Sequence, residues 1–349
     1  MVNAILAKRV NHIVTKGDNP AWPKGSKSRG FSTKQRSWAK RKSFELVGGT
    51  IPNKGEKNYL NNLSDNLFED LTQESIKCYQ SGDGNETKDS KTRLAKMKAL
   101  HSSSAIVVNL FQYWQGKDIC PILNACKLTS RTNKAGCIIE NVGSAFPKET
   151  PVIPPPLNYE IKFEEQFEIC SDKSQFPLSP NIDVVISTPL SDIAIESKFT
   201  EPYGNRKHEG LKQKYVENIS FWDGLPNLYE LAKEISPDDT KFQYLDAAQL
   251  IKHILGLKNS CDKYNFQIKP GLNGRRLFTR SFRLLYLWYD VLGKDGVEHR
   301  KEIEQFAEIA QRDNIKFSHI TYQEVIMKLS KEFYEGNEDY LNYITDRYL

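Results

Sequence analysis

The chain lacks the marks by which several protein classes declare themselves. Its six cysteines, Cys78, Cys120, Cys126, Cys137, Cys170 and Cys261, include no Cys-x-x-Cys pair, and no histidine spacing completes a zinc site. No apolar run approaches the roughly 18 residues of a membrane helix. The N-terminus, MVNAILAKRVNHIV, has neither the long apolar core nor the small-residue cleavage site of a secretory signal. No internal repeat is visible. These absences speak against a zinc module, a membrane protein and a secreted disulfide scaffold. The expectation is a reduced, soluble, cytoplasmic protein.

Strong charge of one sign is also missing from the whole, but not from its start. The 349 residues carry a net charge of +5, whereas residues 1–60 hold 13 Lys and Arg against 3 Asp and Glu. A basic segment of this density attracts polyanions, most simply nucleic acid, or remains a solvated arm. A hydrophobic content of 39% with 11% aromatics is enough for a packed core, as one large or two modest domains.

Hydrophobic spacing divides the chain. Residues 1–58 read as a basic, partly ordered arm whose Trp22 and Trp38 dock on the body or on a partner. Residues 59–100 read as a helical extension, with Leu63, Leu67, Phe68, Leu71 and Ile76 near helical spacing and KTRLAKMKAL opening another helix. SSSAIVVNLFQYW is apolar enough for a buried helix. NYEIKFEEQFEIC alternates as a strand, and NIDVVIS and DIAIESKF supply two more. YLDAAQLIKHILGL is an amphipathic helix ending near Gly256, SFRLLYLWYDV a buried last strand, and the tail from Glu298 is helical. The fold class is α/β, a mixed sheet flanked by helices, with a core over 101–297 and a helical extension over 298–349.

Acids inside apolar strands carry the functional signal. In AIESKF, Glu196 and Lys198 share one face; in NIDVVI, Asp183 interrupts an apolar run. In YEIKFEEQFEI, Glu165 is in phase with Ile161, Phe163, Phe167 and Ile169, whereas Glu160, Glu164 and Glu168 take the other row; a slip of one residue would put Glu164 or Glu168 in its place. A carboxylate on a core-facing row costs several kcal/mol unless it is paired or binds a cation. Hard oxygen ligands suit Mg²⁺ or Mn²⁺, and a nearby Lys can position a water or offset charge at phosphorus. Acid-x-Lys alone is weak: Glu86-x-Lys88, Asp89-x-Lys91, Glu160-x-Lys162 and Asp239-x-Lys241 also occur. Only Glu196-x-Lys198 lies within an apolar strand that follows, across a short hairpin, a second acid of the same kind.

Pro180-Asn181-Ile182-Asp183 followed by Glu196-Ser197-Lys198 resembles the PD-(D/E)XK motif of the restriction-endonuclease-like nuclease superfamily. Over residues 100–291 the element order is similar to that superfamily's αβββαβ core, with SSSAIVVNLF resembling the leading helix and AAQLIKHILGL the second. The resemblance implies Asp183 and Glu196 as metal ligands and Lys198 as the catalytic lysine of an endonuclease that cuts DNA, in restriction or defence. The first helix lacks the acid that many members carry there, and Glu165 is the expected substitute. Homodimerisation is an expectation by analogy alone. Two other readings stay open: a non-catalytic DNA-binding or assembly protein on this fold, and a repair or junction nuclease.

Basic residues extend the reading. Arg206, Lys207, Lys212 and Lys214 follow the catalytic strand, with His208 among them, and Arg275, Arg276, Arg280 and Arg283 precede the last strand. They are candidates for backbone phosphates or a solvated surface. Gln249, on the polar border of its helix, is a candidate accessory residue facing the site; His253, one turn on, reads as a surface histidine.

Overall fold

A five-stranded mixed sheet organises the molecule. The computed structural model describes residues 29–51, 54–81, 86–133, 136–139, 159–189, 191–204, 208–267 and 279–349. In chain order, α1 (Arg29–Arg41) leads into a hairpin of β1 (Leu46–Thr50) and β2 (Lys54–Leu60), then α2 (Gln73–Ser81). Next come α3 (Ser103–Phe111), α4 (Cys120–Ala125) and a second hairpin, β3 (Thr129–Asn133) with β4 (Gly136–Ile139). The sheet begins with β5 (Glu160–Gln166), β6 (Asn181–Ser187) and β7 (Ser191–Lys198). Two short helices, α5 (Gln213–Glu217) and α6 (Pro226–Glu234), precede the long α7 (Ala247–Gln267). β8 (Ser281–Trp288), α8 (Lys294–Arg312), β9 (Phe317–Thr321), α9 (Tyr322–Glu332) and α10 (Glu338–Tyr348) complete the chain.

The sheet order is β5-β6-β7-β8-β9; β5, β6 and β7 are antiparallel neighbours, and β8 and β9 add in parallel. Each face has its own core. Ile161, Phe163, Val184, Ile186, Ile193, Ile195, Leu285 and Leu287 pack against α3, α4, α9 and α10. Ile182, Val185, Ala194, Leu284, Tyr286 and Trp288 pack against α6, α7 and α8. Helix α3 is apolar all round because it is enclosed all round. Its start is capped by Ser102, whose hydroxyl accepts the Ala105 N–H at 3.1 Å.

Several expectations are corrected. The helix expected over KTRLAKMKAL is a single 3₁₀ turn, Lys96–Lys98, because Arg93 and Ala99 bridge to Thr50 and Tyr59 of the first hairpin. The tail beyond Glu298 contains β9, too short for alternation to reveal between two helices. Trp38, by contrast, docks on the body as expected: it is buried, the Arg347 guanidinium stacks on its ring at 4.3 Å, and the Gln35 amide donates to the Arg347 carbonyl at 2.9 Å. Trp22 lies outside the described residues. Cys120 is disulfide-bonded, while Cys126, Cys170 and Cys261 are free thiols. Its nearest neighbour in sequence, Cys126, is among the free thiols, so short-range spacing could not reveal the bridge.

Helix α7 does not end near Gly256 but runs on to Gln267. The glycine serves a close approach instead: a Cβ there would lie 2.7 Å from the Phe167 carbonyl oxygen and 2.9 Å from the Phe167 Cβ. The absent side chain lets α7 lie against the end of β5. Gly256→Ala should therefore destabilise the protein by about 1–3 kcal/mol in urea unfolding, although alanine favours an isolated helix by about 1 kcal/mol. An unchanged or raised stability would mean that α7 can shift freely.

Candidate active site

Asp183 lies where β6 and β7 separate. Their ladder pairs Ser187 with Asp192, Ile186 with Ile193, Val185 with Ala194 and Val184 with Ile195, then stops. Beyond it the Ser197 N–H donates to the Asp183 carboxylate at 2.7 Å. On the other side, β5 and β6 pair Phe163 with Val184 and Glu165 with Ile182, skipping Glu164 and Asp183. Glu164 has a φ of 52°, the left-handed region that a non-glycine residue adopts only against strain. The strand turns over there: Ile161 and Phe163 belong to the α3-side core, Phe167 and Ile169 to the α7-side core.

That reversal corrects the choice of Glu165. Parity counted from Ile161 does not extend past Glu164, so Glu165 is not the acid that neighbours Asp183 and Glu196; its carboxylate acts on Lys162. Glu164 takes the position instead, its carboxyl pushed up to about 7 by burial, with Glu86 and Glu196 adding to the effect. The Asn181 amide donates to it at 3.3 Å. Glu86, between α2 and α3 in the chain, accepts the Ser104 hydroxyl of α3 at 3.1 Å. Glu168 is turned to solvent, paired with Lys173 and Lys263.

Glu196 and Lys198 point to the α7 side. Two residues of strand span ~6.6 Å and four residues of helix ~6 Å, so residues two apart on β7 meet residues four apart on α7. Lys198 Nζ donates to Gln249 Oε1 at 2.8 Å, and His253 Nε2 lies 2.9 Å from Glu196 Oε2. Lys198 Nζ also lies 2.7 Å from Glu196 Oε1. The two approaches to Glu196 are short but not aligned as hydrogen bonds. His253 is thus corrected from a surface to a buried residue, 1% exposed. The helical stripe puts it at the border of the apolar face, and only the strand opposite reveals what it meets.

The charges are unequal partners. Burial, then the Glu196 and Glu164 carboxylates, push the Asp183 carboxyl well above the ordinary aspartate range. Burial also opposes ionisation of Glu196, but Lys198 and His253 outweigh it and hold that carboxyl below the glutamate range. Burial disfavours the Lys198 ammonium, while Glu196 and Asp183 more than restore it. Of the two strand acids, Glu196 is the one held toward ionisation, by Lys198 and His253, and Asp183 the one pushed toward its protonated form by burial.

Among the described residues no group of three or more His, Cys, Asp or Glu side chains forms a metal cage. Two carboxylates, Asp183 and Glu196, with Glu164 near them, are what the site offers. Mg²⁺ commonly takes one or two carboxylates and keeps several waters. The buried Glu196 oxygens without an aligned donor, with the Asp183 carboxyl close to them, fit a small divalent ion.

Lys198 lines the wall of a cavity of about 820 Å³ shared with Lys212, Lys214, Lys252, His208 and Tyr244. Lys212 and Lys214 are thereby brought to the site. Arg280 is not: it pairs with Asp192 at 2.6 Å near the opposite end of β7. Arg206, Lys207, Arg275 and Arg276 lie outside the described residues.

A family model described as restriction endonuclease associating with ARP matches residues 32–349, and the chain belongs to that restriction-endonuclease family. Membership gives it a nuclease-like role, and a nuclease of this kind acts on DNA. No curated protein and no solved structure matches the chain. No helix among the described residues is long and apolar enough to cross a membrane.

The raised Glu164 carboxyl has a measurable consequence. Between the ordinary glutamate value and about 7 the folded state holds a proton that the unfolded state has lost, so this group's contribution to stability falls as pH rises through that window. In metal-free protein, the stability of Glu164→Gln relative to the parent should increase from pH 5 to 7 by at most ~1.4 kcal/mol per pH unit, then level off. A pH-independent difference would contradict the assignment.

Proposed function

We propose that the chain is a metal-dependent deoxyribonuclease, hydrolysing phosphodiester bonds on a restriction-endonuclease-like core spanning residues 101–297. The observation that carries this reading is the convergence of Asp183, Glu196 and Lys198 where two strands separate, in a chain of an endonuclease family. The order α3-β5-β6-β7-α7-β8, with α4, a hairpin and two short helices inserted, supports the core assignment. A role in restriction or defence follows from the family alone.

Asp183 and Glu196 would hold Mg²⁺ or Mn²⁺, with Glu164, rather than Glu165, as the neighbouring third carboxylate. Bound there, the ion would polarise a phosphoryl oxygen and make a water more acidic. The Lys198 ammonium, held by Gln249 and exposed to the cavity, orients the attacking water and offsets charge developing on the phosphoryl oxygens. The water oxygen bonds to phosphorus as the bond to the 3′ oxygen breaks. That oxygen takes a proton, leaving a 3′-hydroxyl and a 5′-phosphate.

Phosphates flanking the scissile bond would meet Lys212, Lys214 and Lys252. The acids in the same cavity are partly committed elsewhere. Glu201 accepts the Phe199 and Thr200 N–H groups, and Asp246 accepts the Gln249 N–H at 2.8 Å. With Glu209 the cavity wall holds three acids against the four lysines Lys198, Lys212, Lys214 and Lys252, a small positive excess.

The test is nicking of supercoiled plasmid with Mg²⁺, with Mn²⁺ and with chelator. Asp183→Ala and Lys198→Ala should each abolish cleavage while DNA binding in a mobility-shift assay survives. Retained cleavage in both variants would remove the proposed centre, and binding without cleavage in the parent would favour a non-catalytic DNA-binding protein. Linear, circular and branched substrates separate a site-directed enzyme from one acting on junctions or ends. Replacing Lys212 and Lys252 with alanine should weaken binding to all sequences alike, lowering the slope of log affinity against log salt by about 1 for each lysine–phosphate pairing removed. An unchanged slope would take these lysines out of the interface.

A further inference from the structure

The least expected side chain beside the proposed centre is an imidazole. His253 is 1% exposed and sits on α7 among buried apolar positions, Leu250, Ile254 and Leu257. Neither ring nitrogen has an aligned hydrogen-bond partner. Its polar contact is Glu196, whose Oε2 lies 2.9 Å from Nε2. A leucine or phenylalanine would fill the same space without enclosing a polar ring, so packing alone gives no reason for histidine.

Geometry supplies the reason. Glu196 is itself 1% exposed, and its two oxygens are approached from two directions, Oε1 by Lys198 and Oε2 by His253. Lys198 is steadied in turn by Gln249, one helical turn before His253. Two cross-contacts from one helix thus fix both the lysine and the carboxylate. A carboxylate facing Nε2 selects the forms of the ring that carry a hydrogen there. With one contact on each oxygen, rotation of Glu196 about its last side-chain bond would give up both.

We propose that His253 is a positioning residue: it holds the Glu196 carboxylate in the orientation that receives the divalent ion, and it touches neither ion nor DNA. The inference rests on the metal-dependent reading above. It makes the Gln249/His253 pair a single device, set by the match between the helical and strand repeats, with one residue for each member of the Glu196/Lys198 pair.

Two variants of similar polarity test it. In His253→Gln the amide nitrogen reaches about as far as Nε2, whereas in His253→Asn it stops near the position of Nδ1. Mn²⁺ affinity is measured by titration calorimetry without DNA, alongside plasmid nicking. His253→Gln should keep Mn²⁺ affinity within a few-fold of the parent. His253→Asn and His253→Leu should lose about 10–100-fold, the usual effect of removing a partner that orients a metal ligand. For these two, kcat should fall while KM for DNA is unchanged. Equal Mn²⁺ affinity in the parent, His253→Gln and His253→Asn would overturn the positioning role and leave the nuclease reading standing. A parent that neither binds Mn²⁺ nor nicks plasmid would overturn the nuclease reading, and the inference with it.

Discussion

Like charges buried side by side are the constraint on which the centre of this molecule depends. Asp183 and Glu196 lie on neighbouring strands, with Glu164 close by, and burial strengthens their mutual repulsion. The protein answers in three ways. Burial pushes the Asp183 carboxyl toward its protonated form, the Lys198 ammonium and His253 are brought to Glu196, and the β6–β7 ladder ends so that a backbone N–H reaches the Asp183 carboxylate. Each answer is incomplete, because Glu196 still lacks an aligned donor. Under the proposed function, a divalent cation would complete that balance.

The surrounding architecture serves the placement of two segments, the end of β7 and the first half of α7. Parallel β8 fixes β7 from one side, with Glu196 opposite Tyr286 and Lys198 opposite Trp288. His299 on α8 supports that strand from beneath, its two ring nitrogens each 3.0 Å from a tyrosine hydroxyl, Tyr203 and Tyr286. Burial lowers the His299 pKa to about 3 and keeps the ring neutral there. Helix α7 is drawn close by the missing side chain at Gly256, and its start is capped by Asp246. Small displacements of α7 would move Gln249 and His253 together, which ties the fold's packing to the chemistry of the centre.

Much of this is legible in the residues. The motif pair Asp183 and Glu196-x-Lys198 stands out because acids within apolar strands need a partner, and the strands lie close to where alternation puts them. The buried helix α3 follows from its unbroken apolar run. What the residues do not reveal stays hidden for physical reasons. Strand parity presumes a continuous pleat, and the positive φ at Glu164 breaks it, so parity points to Glu165 where Glu164 stands. A helix pattern describes one helix, so the meeting of His253 with Glu196 cannot be seen before α7 and β7 are packed. The contact of Glu86 with α3 joins residues that only tertiary structure brings together. Gly256 looks like a helix end because glycine ends helices more often than it lets them approach a strand.

The most direct measurement is anomalous diffraction from crystals soaked in Mn²⁺. The account predicts a peak between the Asp183 and Glu196 carboxylates, accompanied by release of the Lys198 ammonium from Glu196 Oε1. A Mn²⁺ peak elsewhere in the molecule, with these two carboxylates unliganded and Lys198 still closed on Glu196, would contradict it.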